Sequence, residues 1–125
     1  LYTSEEVNLK AEDFMYIDLG VSMELPAGYE AIQAPRSSTF KTWGLLQANS
    51  IGVYDESYCG DTDIWKFPAY ATRDVTIPAH TRLCQFRIIK HQPDFIFDEV
   101  DTGVSGRVAQ AIARGGWGTT GTGKL

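Results

Sequence analysis

The sequence predicts an all-β fold, a jelly-roll-like sandwich or barrel of short strands with one short helix. Three observations carry that prediction. Short apolar-alternating runs recur along the chain, separated by Pro, Gly, Asn and Asp. Glycine is frequent, at twelve, which favours a turn-rich β fold over helices. Apolar residues make up 43% and include three Trp, six Tyr and six Phe, enough for a real core in a single domain of 125 residues.

The elements follow in order. Val7 to Leu9 and Phe14 to Asp18 alternate as strands. Val21 to Leu25 alternates too and ends in the turn signal Pro26-Ala27-Gly28. Tyr29 to Ala34, "YEAIQA", alternates until Pro35. Ser37 to Leu46, "SSTFKTWGLL", breaks the pattern: a Ser cap precedes Phe40, Trp43 and Leu46 at helical spacing, so a helix of about two turns is expected. "NSIGVYDESYCGD", residues 49–61, alternates up to Val53 and Tyr54, then sets Asp55 at the edge of a turn. Ile64 to Tyr70, Val75 to Ile77 and Arg82 to Ile89 complete the strands. In the last, Leu83, Gln85, Arg87 and Ile89 share one face. From about Asp101 the composition changes. Val108 to Ala113 has room for one helical turn, and five Gly fall between Gly115 and Gly123. Residues 1–113 are therefore expected to form the β domain and 114–125 a flexible Gly-rich tail.

Composition also excludes functions. A net charge of -5 argues against binding nucleic-acid backbones by bulk charge. Phosphate would have to be held locally, by a few placed Arg residues and backbone N–H groups. No apolar run approaches a membrane span, and no signal peptide is visible. Cys59 and Cys84 fit no disulfide framework and no metal spacing. They read as reduced thiols, which points to the cytoplasm. His80 and His91 lie beside turns and read as surface residues.

Four stretches carry possible chemistry. Pro35-Arg36-Ser37-Ser38 runs from a strand into a helix start, where N–H groups, hydroxyls and a guanidinium could hold an anion. On that tetrapeptide alone, an ordinary Ser cap beside a surface Arg is the favoured explanation. Asp55 and Tyr58 sit on a hairpin rim, where neither serves a core. Gln85 is a mid-strand amide that either needs partners or faces solvent. In the tail, Arg114, Thr119 and Thr120 stand among glycines that let a backbone wrap closely around phosphate. The Gly-Lys-[Ser/Thr] spacing of a Walker site is absent.

In order, "APRSSTFK" (34–41), "NSIGVYDESYCGD" (49–61), "RLCQF" (82–86) and "RGGWGTTG" (114–121) resemble motifs two to five of the trimeric dUTPases, bacterial and prophage members in particular. The resemblance runs from residue 1 to about 121. It implies a homotrimer with shared active sites, hydrolysing dUTP to dUMP and pyrophosphate. Backbone groups of Gly52, Val53 and Tyr54, with Asn49 nearby, would read the uracil edge. Tyr58 would pack under the deoxyribose, and Asp55 would activate the attacking water. Arg36, Ser37 and Ser38 would cradle the phosphates, and Gln85 would contact the α-phosphate or the catalytic water. In the tail, Arg114, Gly118, Thr119 and Thr120 would close over them, and Trp117, standing where the family usually has Phe, would stack on the base. Mg²⁺ would be held mainly by the phosphates, with no direct protein ligand. Two departures stand out. Leu1-Tyr2 looks like the end of the first motif, whose metal-orienting Asp is expected before residue 1. The fifth motif is two residues short. A dCTP deaminase-like enzyme of the same fold is the runner-up, but such enzymes favour Phe in place of Tyr58 and lack this tail. A third reading is a phage-type regulatory binding protein switched by dUTP.

Overall fold

Period-2 alternation does become strands in most places. The computed structural model describes residues 1–101. The strands are β1 (Val7–Leu9), β2 (Phe14–Asp18), β3 (Tyr29–Pro35), β4 (Leu45–Gln47), β5 (Gly52–Tyr54), β6 (Lys66–Ala71), β7 (Val75–Ile77) and β8 (Cys84–Lys90), with one helix, α1 (Thr39–Trp43). All ladders are antiparallel, and they form three sheets: β1-β7, β2-β6-β4 and β5-β3-β8. The all-β expectation of short strands therefore stands, with one short helix among the described residues. The chain divides into two units, Leu1–Gln92 and Pro93–Leu125. Residues 93–101 carry no helix or strand. The expected turn at 108–113 and the tail at 114–125 lie outside the described residues.

The core of the first unit is built by the inward phase of these strands. Ile17, Phe67, Ala69, Ala71, Leu45 and Ile77 are buried, joined from loops by Trp65 and Leu83. Fully burying the Ile, Leu and Phe side chains among them contributes roughly 1.5–3 kcal/mol each before the entropic cost is counted. Trp65 is the hub. Its ring stacks on Tyr54 at 3.8 Å and 7°, and meets Phe86 edge-on at 5.4 Å. Cys84 is buried, whereas Cys59 is exposed, and both are free.

Three expectations are corrected. Val21 to Leu25 forms no strand. Its alternation reflects an extended segment packed on one side, with Leu25 buried, and the only ladder-like contact at its start is Trp65 N–H donating to the Val21 carbonyl at 2.8 Å. The helix is shorter than expected. Gly44, at φ +67°, ends it, and its N–H closes on the Phe40 carbonyl at 2.7 Å. Leu45 to Gln47 then turn to β geometry and become β4, so Leu46 is on a strand. The stripe Phe40, Trp43 and Leu46 does not face the core: Phe40 and Leu46 are exposed, and Thr39 is the buried helix residue. Gly44 has no freedom to be another residue. A Cβ there would meet Arg73 Nε at 2.8 Å and Thr72 Oγ1 at 3.0 Å, on a backbone conformation that L side chains avoid.

Ser38 occupies the N-cap position but makes no side-chain capping bond. Thr39 does the work instead. Its Oγ1 accepts the Arg36 N–H at 2.9 Å and donates to the Leu83 carbonyl at 2.7 Å. This ties the turn after β3 to the chain entering β8, which fixes where Arg36 and Ser37 stand.

Candidate functional site

The sequence places its polar candidates on two sides of strand β3, and the fold gives each side a cavity. The first cavity, of about 200 Å³, lies at the β5 hairpin. Asn49, Gly52, Val53, Tyr54 and Tyr58 line it, as the sequence implied, and so do Tyr16, Gln33, Ile64 and Lys66, which sequence reasoning missed. The second, of about 230 Å³, is lined by Arg36, Ser37 and Gln85, together with Tyr2, Arg82 and Cys84. Ser38 lines neither cavity. The two share no lining residue, so within the described residues of one chain the hairpin set and the Arg-Ser-Gln set stay apart.

The hairpin is held from below. Pairing of β5 with β3 sets Gly52 opposite Gln33 and Tyr54 opposite Ala31. Tyr54 then reaches inward. Its hydroxyl lies 2.8 Å from Gln33 Oε1 and 2.9 Å from the Lys66 carbonyl. Burial pushes this hydroxyl up to about 12, against the opposing pull of its hydrogen bond to the Lys66 backbone. Tyr54 therefore keeps its proton at neutral pH and serves as a donor. Tyr58 leans against it, with ring centroids 6.0 Å apart, and donates its own hydroxyl to the Ile64 carbonyl at 3.0 Å. A ring anchored at both face and tip is a stiff wall for a cavity.

Asp55 begins the turn that carries Tyr58, whose N–H donates to the Asp55 carbonyl at 3.0 Å. The Asp55 carboxylate also organises that turn: Oδ2 accepts the Ser57 N–H at 3.1 Å and the Ser57 hydroxyl at 2.5 Å. These bonds, the hydroxyl first, hold the carboxyl below its ordinary range. Asp55 is exposed and lines neither cavity. It is thus an exposed, ionised carboxylate next in sequence to Tyr54, fixed in orientation by Ser57, with its other oxygen facing the His91 ring at 4.0 Å.

Two further residues depart from expectation. His91 is only part exposed, and it is surrounded by carboxylates. Its Nε2 lies 3.8 Å from Glu30 Oε1 and 4.0 Å from Asp55 Oδ1, and its Nδ1 lies 3.9 Å from Glu56 Oε1. The pairing of β3 with β8 brings it there, since Tyr29 sits opposite Lys90, and no local pattern announces it. Gln85 does not share a strand face with Leu83, which precedes β8. It is exposed, its Nε2 donates to the Pro35 carbonyl at 3.0 Å, and it lines the second cavity. Arg82, over the Tyr2 ring at 5.9 Å, adds a second guanidinium to Arg36 in that cavity's lining.

Among the described residues no group of three or more His, Cys, Asp or Glu is arranged to hold a metal ion. None of their helices is long and apolar enough to cross a membrane. Arg114, Trp117, Gly118, Thr119 and Thr120 lie outside the described residues.

Comparison with known proteins bears on the family. The dUTPase family matches residues 1–113. The chain is 52% identical over 122 residues to the SPbeta prophage-derived deoxyuridine 5'-triphosphate nucleotidohydrolase of Bacillus subtilis, covering 98% of this chain and 82% of that one. Among solved structures, the dUTPase of Streptococcus mutans superposes with a TM-score of 0.68 at 21% identity, over 79% of each chain. The dUTPase of phage phi11 of S. aureus, described with a structural Mg(II) ion, superposes with a TM-score of 0.68 at 16% identity, over 81% of each.

Proposed function

The chain belongs to the dUTPase family, and from that premise we propose that it hydrolyses dUTP to dUMP and pyrophosphate. The observation that carries this reading is the first cavity. It is lined by Tyr54 and Tyr58 together with Gly52 and Val53, and Asp55, held by Ser57, directly follows Tyr54 in the chain. Uracil would enter edge-on and pair with those backbone groups. Cytosine presents the opposite donor and acceptor pattern and would leave buried groups unpaired. Tyr58 would pack against the deoxyribose and refuse a 2′-hydroxyl. Asp55 would take the proton of a water attacking the α-phosphorus in line, with pyrophosphate as leaving group.

The phosphates would lie against the second cavity, held by Arg36, Ser37 and Gln85, with Ser38 at the same turn. Arg114, Thr119 and Thr120 would close on them, Gly118 would permit the close approach, and Trp117 would stack on the base. Mg²⁺ fits this arrangement as an ion carried by the phosphates, since two guanidiniums and a hydroxyl in that lining suit phosphate oxygens and not a cation. When bound it would neutralise charge on the leaving group.

The separation of the two cavities supports a homotrimer with shared sites. One subunit would supply the hairpin, a second the phosphate cradle and a third the tail. A surface able to receive a second copy exists in the first unit: a groove of about 620 Å³ lined by Phe40, Leu45, Leu46 and Tyr70 among others. Phe40 and Leu46 are about half exposed, at 55% and 46%.

The direct test is pyrophosphate release from dUTP, dCTP, dTTP and UTP measured side by side. Turnover restricted to dUTP is expected; equal turnover of dCTP removes the base-reading role of the hairpin. In the same assay Tyr58→Ala is expected to raise UTP hydrolysis relative to dUTP, and unchanged discrimination would assign sugar selection elsewhere. Ser57→Ala tests the state of Asp55. Removing the hydroxyl that stabilises the anion raises the carboxyl's affinity for a proton, so the acid limb of the kcat/KM profile should move to higher pH. A limb that does not move belongs to another group.

A further inference from the structure

The hairpin's floor contains an unusual feature: two glutamines in the core. Gln33 is fully buried and Gln47 is 6% exposed. Glutamine is rarely buried because each amide brings two donors and one acceptor that lose water. Here the losses are made good. Gln33 Nε2 donates to the Lys66 carbonyl at 3.0 Å and faces Gln47 Oε1 at 3.4 Å. Its Oε1 accepts from Tyr54. Gln47 Nε2 donates to the Gln33 carbonyl at 3.1 Å and to the Ser50 carbonyl at 3.0 Å. Tyr54 has one hydroxyl proton, and giving it to Gln33 Oε1 while Gln33 serves Lys66 satisfies every group in the chain of bonds.

The network grips the hairpin at both ends. At the near end, Gln47 holds Ser50 twice: its carbonyl accepts the Ser50 N–H at 3.0 Å, and its side chain binds the Ser50 carbonyl. Ser50 sits at φ +63°, a conformation costly for a residue with a Cβ, and these bonds hold it there. At the far end, Tyr54 is pinned by its hydroxyl and by its stack on Trp65. Gly52 and Val53 lie between the two grips and line the cavity, with Asn49 just before the near one.

We infer that Gln47, acting through Gln33, Ser50 and Tyr54, is a positioning residue for base discrimination. The inference rests on the dUTP reading and deepens it. A backbone edge can reject cytosine only if its peptide groups cannot rotate to meet the wrong pattern. A buried hydrogen-bond network supplies that stiffness, because each of its members loses a partner when the hairpin moves. Gln47 itself lines no part of the hairpin cavity, so its effect on the base is indirect.

The test compares the full chain with Gln47→Leu and with the paired replacement Gln33→Met plus Gln47→Leu. In the paired replacement Tyr54 keeps the Lys66 carbonyl as acceptor, while the Gln33 and Ser50 carbonyls lose the Gln47 donor, as they do in Gln47→Leu alone. The paired variant, read against Gln33→Met alone because Gln33 lines the cavity, carries the test if Gln47→Leu does not fold. Melting temperature, kcat and KM for dUTP, and kcat/KM for dCTP are measured for each. The expected result for Gln47→Leu is a KM for dUTP raised about tenfold, a dUTP-to-dCTP preference lowered about tenfold or more, and a kcat for dUTP changed less than about twofold. A folded variant that keeps both KM and preference overturns the inference. So does one that loses kcat with preference intact, since that would be a catalytic or a merely structural effect. Wild-type protein inactive on dUTP would instead overturn the substrate reading, and the wild-type control tells the two failures apart.

Discussion

Asp55→Asn is expected to lose roughly 10²–10⁴-fold in kcat while binding dUTP nearly as well as the wild type, the range that removal of a general base costs. The replacement is nearly isosteric, and its amide oxygen can still accept both Ser57 donors that now meet Oδ2. The turn, and with it the placement of Tyr58, should therefore survive. What disappears is the capacity to accept a proton. Because Asp55 is held ionised by those same donors, it would be a modest base in the free chain, and its strength would rise on losing water when substrate covers it. Affinity for dUMP by calorimetry and kcat by pyrophosphate release separate the two effects. A folded variant turning over dUTP at near wild-type rate would leave Asp55 as a turn residue and nothing more.

Mixing two inactive chains should restore activity. Asp55→Asn spoils the hairpin and leaves the phosphate cradle whole; Arg36→Ala with Gln85→Ala does the converse. If each site takes its hairpin from one subunit and its cradle from another, random co-assembly of equal amounts gives about one site in four with both parts intact, so about a quarter of wild-type turnover should appear. If both parts came from one chain, every site would carry a lesion. The expectation follows from the two cavities having no lining residue in common. Co-refolding from denaturant, followed by the pyrophosphate assay, gives the number. Recovery no greater than the sum of the two separate chains would remove the shared-site arrangement.

The parts of the fold legible in the sequence were those set by local pattern. β1, β2, β3 and β7 follow from alternation bounded by turn residues, because a strand with one face inward must repeat every second residue. Val21 to Leu25 carries the same signal without a partner strand, which alternation cannot reveal. β4 was missed because three residues directly after Gly44 are too few to show a period, and the helical stripe ran through them. In the site, motif order named Asp55, Tyr58, Asn49 and Gly52 together; the structure gathers Asn49, Gly52 and Tyr58 around one cavity, while Asp55 stands outside its lining. Gln33 and Gln47 were not. A polar residue at the inward phase of a strand looks like a flaw in the pattern until its partners, fourteen residues away in sequence, are seen. The same holds for His91, brought to Asp55 by the register of β3 on β8.

The contrast between the two cysteines makes the protein its own reporter. Cys84 is buried, and burial pushes its thiol up to about 11, so at neutral pH it holds its proton and reacts far more slowly than an exposed thiol. Cys59 is exposed and directly follows Tyr58 on the hairpin turn. A maleimide dye added to the unmodified sequence should therefore enter at one place, with no cysteine removed beforehand. The dye would sit one residue from the wall of the base cavity. Its colour or polarisation could then follow the arrival of a nucleotide in real time, on the native chain, in a stopped-flow cell.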